Sequence, residues 1–427
     1  MKHFYCFCLS FFLIITTASP FGNYFVHING KDGLSHNNVK SIIQDSYGFM
    51  WFGTRNKLNR YDGTSIKIFD CFDSSTHKRN NNISALFENS DHKLWVGTDN
   101  GVFIFDPICE SFHSFDSKTS DNQAIAQWIA DIQKDDNNNI WIVVPNQGVF
   151  KFNLDSKILK LYSVVNKLAP SKTNPQCISI EKNGRVWIGT NGQGVFLYNE
   201  NKDSFTQYNG SNQGGESLLN KNIYTMCHIN EDLIIGVHEG CLMKLDTRKN
   251  HASNMHIPQV DYKIIRDIIL FDDVLWIGTQ NGITEINLKT NKIKQTQEDL
   301  INQYSLSDNI IEKIYKDKEG GIWVGTNFGG VNYLPNSHNN FEKYLPNSSS
   351  NLNSISKRIR EIAEDADGRI WLGTEDAGVI AFDTEKQEFK QITHSSRKKT
   401  LAMLMKDNDL WVGYFKDGLD VINKKTG

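Results

Sequence analysis

The most regular groups able to do chemistry are four carboxylates, Asp45, Glu181, Asp317 and Asp365, each six residues ahead of a tryptophan. A facing pair of carboxylates could cleave a glycosidic bond by general acid and base chemistry. These four instead recur in polar turns, where Asp and Glu side chains bond local backbone amides, so they are expected to hold turns. Glycosidases bring distant carboxylates together, so a glycan-cleaving propeller stays as an alternative reading. The 12 histidines are scattered, with no H-E-x-x-H pair, and His251 and His256 share a loop at a spacing that suits no ligand set. No metal or cofactor is expected. Neither a G-x-S-x-G elbow, a phosphate-cradling loop nor a dinucleotide fingerprint is present. After the N-terminal segment, the cysteines Cys71, Cys109, Cys177, Cys227 and Cys241 are odd in number and widely spaced. They read as small buried hydrophobes, with a Cys227–Cys241 bridge across one hairpin left open.

Binding remains, and it calls for aromatic planes beside amide and charged hydrogen-bonders on a rigid scaffold. The segments following a repeated W-x-G-T offer Arg55, Asn56, Asp99, Asn100, Asn191, His238, Glu239, Gln280, Asn281, Asn327 and Phe328. Trp128 is the tryptophan outside that motif. It is either a stacking plane or a core residue of a strand IAQWIADI. The basic runs 77–79 and 397–399 read as solvated loop ends.

The elements that must position these residues are repeats. Trp51, Trp95, Trp141, Trp187, Trp276, Trp323, Trp371 and Trp411 follow one another at 44, 46, 46, 89, 47, 48 and 40 residues. The gap of 89 is two periods, and LIIGVHEGCLMKLD fills it with Ile234 in place of tryptophan, giving nine units. Each unit alternates apolar and polar residues, turns at an acid and a glycine, continues through a buried run such as MWFG, and adds one or two further strands. Four short antiparallel strands per 40–50 residues is the pattern of a propeller blade, with the tryptophan wedged between sheets and the glycine admitting close approach. Lys57 where other units have glycine, VVPN at 143–146 and the missing fifth tryptophan are the departures.

The expected fold is therefore all-β: a seven-bladed propeller over 20–337, followed by the first two blades of a second, incomplete propeller over 338–427. The strand YFVHI at 24–28 lacks a blade of its own and would close the first ring on the seventh unit. FEKYLP at 341–346 would open the second ring in the same way. Residues 1–19, with Lys2, an apolar run and then small residues, read as a secretory signal peptide. A composition of 39% hydrophobic and 22% charged residues supports a folded chain, and a net charge of −3 gives no footprint for nucleic acid.

With GLSHNNVKSIIQDSYGFMWFGT at 33–54, its NRYDG end, GGIWVGTNFGGVNYL at 320–334, EDAGV at 375–379 and the final GLDVINKKTG, the chain resembles the two-component regulator propeller repeats of hybrid two-component sensors from gut bacteria. That resemblance implies the periplasmic sensor region of a receptor for glycan-derived oligosaccharides, controlling polysaccharide-utilisation genes. The kinase, the membrane span and any homodimer contact would lie in downstream parts, leaving this region non-catalytic. The contrasting reading is a propeller that mediates protein contacts without a small ligand.

Overall fold

The computed structural model describes residues 24–162, 174–238, 240–300, 302–336, 358–384, 386, 388–392 and 398–424. The segment 1–19 read from sequence as a signal peptide, FEKYLP, Glu239 and part of the 397–399 run lie outside them. The chain divides into two compact units, Met1–His338 and Asn339–Gly427.

The first blade shows how the repeat folds. Val39–Gln44, rich in β-branched residues, runs into a turn in which Asp45 Oδ1 accepts from the amides of Tyr47 at 3.0 Å and Phe49 at 2.9 Å, with Gly48 at φ 97°. The chain returns as Met50–Thr54, every residue of it buried. Thr54 Oγ1 then donates to the carbonyl of Lys57 at 3.0 Å and ties the next turn. Thr98, Thr190, Thr279, Thr326 and Thr374 make the same bond to Gly101, Gly194, Gly282, Gly330 and Gly378. Lys57 keeps the left-handed backbone of those glycines, φ 79°. Leu58–Tyr61 and Ile66–Phe69 complete an antiparallel sheet of four.

Among the described residues of the first unit, seven such four-stranded sets follow in order. Their first strands, Val39–Gln44, Ile83–Glu88, Asp131–Lys134, Asn174–Ile180, Leu219–Ile229, Ile265–Phe271 and Ile311–Lys316, each pack on the next, and the last packs on the first. That is a closed ring with these strands innermost. The seventh set is completed by Val26–Ile28, which pairs with Val331–Leu334 in the register Val26 to Tyr333 and Ile28 to Val331. The N-terminal strand thereby covers what would be an open edge. The fourth and fifth sets also share hydrogen bonds, Asn191 with Asn222 and Gln193 with Leu219, and form one continuous sheet.

Packing between blades explains the W-x-G motif. A Cβ on Gly53 would stand 2.6 Å from Ile83 Cγ2, and one on Gly97, Gly189, Gly236 or Gly278 would meet Ile129, Ile223, Ile265 or Ile311 at 2.6–2.7 Å. Each glycine thus receives the first β-branched residue of the next blade. In the third blade Val143 holds the glycine position, and the facing position of the fourth is Pro175 instead of isoleucine.

In the second unit, Ile359–Glu364, Ile370–Thr374, Val379–Asp383 and Glu388–Gln391 form one sheet and Thr400–Lys406, Asp409–Tyr414 and Leu419–Asn423 a second, packed through their first strands. The possible cysteine bridge is corrected: Cys227 and Cys241 are both free thiols, with Cys227 in the inner strand and Cys241 ahead of the third strand of the fifth blade.

Candidate functional site

Because neighbouring strands are antiparallel, every W-x-G-T strand of the first ring ends on the rim where the innermost strands begin. The backbone amides of Arg55, Asp99, His238 and Asn327 donate to the carbonyls of Asn38 at 3.1 Å, Asn82 at 3.2 Å, Asn222 at 2.8 Å and Ile310 at 3.0 Å. These bonds hook each loop to the start of its own blade's inner strand or to the residue just ahead of it. The Asn327 side chain accepts from Asn38 Nδ2, and Phe328, 68% exposed, is fixed through its amide to Asp308 Oδ2 at 2.8 Å. Asn56 is exposed and donates its amide to Thr54 Oγ1 at 3.1 Å. Gln280 is exposed beside Gly282, whose amide reaches Asn309 of the seventh blade at 2.7 Å. Trp128 lies ahead of the strand Asp131–Lys134 and is 40% exposed, so the structure places it on the rim and outside the core.

Residues missed in the sequence sit one step further in. Six inner strands carry a one-residue bulge, leaving Lys40, Ser84, Gln176, Tyr224, Arg266 and Glu312 unpaired in the ladder, all but Glu312 between buried neighbours. These half-buried or exposed residues stand on the inner edge of the ring. The Tyr224 ring lies 4.9 Å from the imidazole of His238, tilted by 31°. Arg266 Nη1 pairs with Glu312 Oε2 at 3.2 Å, and its Nε is enclosed without an acceptor. Burial pushes the Glu312 carboxyl up, opposed by Arg266 and by Lys40.

The next residues along form a charged layer. Lys313 Nζ lies 3.1 Å from Asp267, whose Oδ2 also accepts from the Ile314 amide at 2.8 Å. Burial works against the Lys313 ammonium, and the carboxylates of Asp267 and Asp131 outweigh it, so its pKa is raised. Asp131, four blades from Lys313 along the chain, is pushed up by burial and drawn down by that same lysine. The charges of the third, sixth and seventh blades therefore act on one another, with Lys313 keeping 39% of its side chain accessible.

Elsewhere the chemistry is structural. Ser46 Oγ donates to Glu88 Oε1 at 2.6 Å and lies 2.7 Å from His92 Nδ1, so the acid holds the serine instead of orienting the histidine as a nucleophile would need. Burial raises the thiols of Cys71, Cys177 and Cys227, the last to about 11, which keeps them protonated. Among the described residues no three His, Cys, Asp or Glu side chains gather as a metal site.

The model of the two component regulator propeller family matches residues 33–56, 77–100, 305–328 and 353–376. Histidine kinase P4 of Formosa agariphila is 41% identical over 59 residues, 14% of this chain and 4% of that protein. The extracellular domain of the putative hybrid two component system BT3049 from B. thetaiotaomicron superposes with a TM-score of 0.72 at 22% identity, over 95% of this chain and 54% of that one. The corresponding domain of BT4673 from the same organism gives 0.60 at 19% identity, over 94% and 59%. The chain thus spans little more than half the length of these solved domains. It carries two-component regulator propeller repeats, and its fold is that of the extracellular domains of hybrid two-component sensors.

Proposed function

We propose that this chain is the ligand-sensing region of a hybrid two-component sensor, exported to the periplasm, and that it binds an oligosaccharide released from a complex glycan. Binding without turnover would report that sugar to downstream parts that regulate polysaccharide utilisation. The observation that carries this reading is the set of accessible rings on one rim of one closed ring: Trp128, Phe328, and Tyr224 beside His238. Amide and charged groups, Asn56, Gln280, Asn327 and Arg55, lie on the same rim, and backbone bonds to the scaffold hold the loops that carry them. Apolar sugar faces want such planes and sugar hydroxyls want such hydrogen-bonders. Titration of the full chain with plant and host oligosaccharides tests it. At least one class is expected to bind, to weaken about tenfold or more when Trp128→Ala is introduced, and to be recovered uncleaved. An absence of binding across the panel, or release of new sugar ends, would refute it.

A further inference from the structure

The acids and the cations of the inner ring are satisfied unequally. Glu312 is engaged by Arg266. Asp308 caps the amides of Ile310 at 3.1 Å and Phe328 at 2.8 Å. Asp267 holds Lys313 and the Ile314 amide, and Asp131 caps Ile132 at 2.8 Å and Ile178 at 3.4 Å. The Lys40 ammonium, half-buried on the bulge of the first blade, has no hydrogen bond or ion pair among the described residues, though it lies within the field of Glu312. Arg266 spends one nitrogen on Glu312 and leaves its enclosed Nε without an acceptor. A half-buried cation without a partner is costly unless an anion completes it. The opposite arc offers Gln176 and the 37% exposed Tyr224, uncharged and suited to the face of a sugar ring.

We propose that the inner edge of the first propeller binds an anionic saccharide, its acid group held by Lys40 and Arg266 and its ring laid against Tyr224. This rests on the oligosaccharide reading above and names the chemical class. The acid group is a carboxylate or a sulfate ester, which offer the same anionic oxygens to an ammonium and a guanidinium. Glu312 then serves as a positioning residue that holds the guanidinium toward the axis.

Calorimetry on the full chain tests this with three trisaccharides: trigalacturonate, its fully methyl-esterified form, and a galactotriose bearing 6-sulfates. At least one acidic ligand is expected to bind tenfold or more tightly than the neutral ester and to weaken as sodium chloride rises. Lys40→Gln, checked for an unchanged melting temperature, is expected to lose tenfold or more for the acidic ligand and to leave the ester unaffected. The preferred acidic ligand separates carboxylate from sulfate. Equal binding of ester and acids on the unmodified chain overturns the anionic assignment and leaves the sensor reading standing. An acid preference that survives both Lys40→Gln and Arg266→Gln overturns the location. If neither these ligands nor the wider panel bind, both readings fall.

Discussion

Trp51 donates its indole N–H to Asp45 Oδ2 at 2.7 Å, with both side chains sealed from solvent. Trp141 to Asp135, Trp187 to Glu181, Trp323 to Asp317 and Trp371 to Asp365 repeat the bond at 2.6–3.0 Å across the same six-residue spacing. One carboxylate therefore closes a turn through its backbone and anchors the wedge between two blades. In the sixth blade a tight turn, Asp272 and Asp273 at φ 47° and 61°, replaces the acid turn, and the indole of Trp276 is buried without an acceptor. Replacing Asp45 with Ala strips acceptors from two amides and the indole, with an expected cost of at least about 2 kcal/mol. Asp45→Asn, which keeps one carbonyl acceptor, should lose less. Urea unfolding of both variants checks this, and a loss in Asp45→Asn as large as in Asp45→Ala would overturn it, because the retained carbonyl would then contribute nothing.

This bond also marks what the sequence could reveal. The recurrence of acids six residues ahead of tryptophan identifies turn holders, because the amides they bond are local. The indole half of their work depends on two strands folding back, which no spacing displays. The bulges were hidden for a similar reason: a one-residue slip between Val39 and Ser41 or between Ile223 and Thr225 leaves the alternation looking ordinary, yet it takes Lys40 and Tyr224 out of the ladder of the innermost strands. Trp128 resolves differently again. IAQWIADI reads as one strand, but the ladder begins only at Asp131, so the tryptophan is left on the rim.

The glycine contact between blades gives a second test. Gly53→Ala puts a methyl 2.6 Å from Ile83 Cγ2, and overpacking of that kind costs about 1–3 kcal/mol. Ile83→Ala alone leaves a cavity and costs about 2–5 kcal/mol. Together they should destabilise by less than the sum, because each relieves the other. A double-mutant cycle reads the coupling. Strict additivity would show that the two blades are not locked at this point.

His228 gives a pH dependence. Its Nδ1 lies 3.8 Å from Glu181 Oε1 and its Nε2 is enclosed without a partner. Glu181 is already held by the Trp187 indole and by Arg185. Burial lowers the imidazole pKa, Glu181 opposes that shift and Arg185 adds to it, with the net direction downward. The folded state then binds a proton less readily than the unfolded chain, whose histidine titrates near about 6.5. Above that pH the histidine contributes no pH dependence; below it the unfolded state gains the proton first and stability falls until the folded pKa is passed. The melting temperature should fall from pH 7 to pH 5, and His228→Gln should flatten the slope. Parallel slopes in the two proteins would rule His228 out as the source.

The last expectation concerns the second unit, where burial of the repeated tryptophans diverges. Trp371 is 1% exposed and Trp411 is 39% exposed. The difference follows from neighbours: Trp371 has the sheet of Thr400–Lys406 packed against its own, whereas Leu404, Trp411 and Val421 lie side by side across three strands with 63%, 39% and 49% of their surfaces accessible. In the first ring the same row is covered by the next blade, and Trp51 is wholly buried. An apolar row of this kind on an uncovered sheet favours association. The 427-residue chain is therefore expected to self-associate with rising concentration, and Leu404→Lys or Trp411→Gln should weaken that association. Trp371→Gln should instead unfold the second unit, since it removes a buried wedge. Sedimentation velocity across a concentration series separates these outcomes. A chain that stays monomeric throughout, or that associates equally well with Leu404→Lys and Trp411→Gln, would show that this row is not the contact.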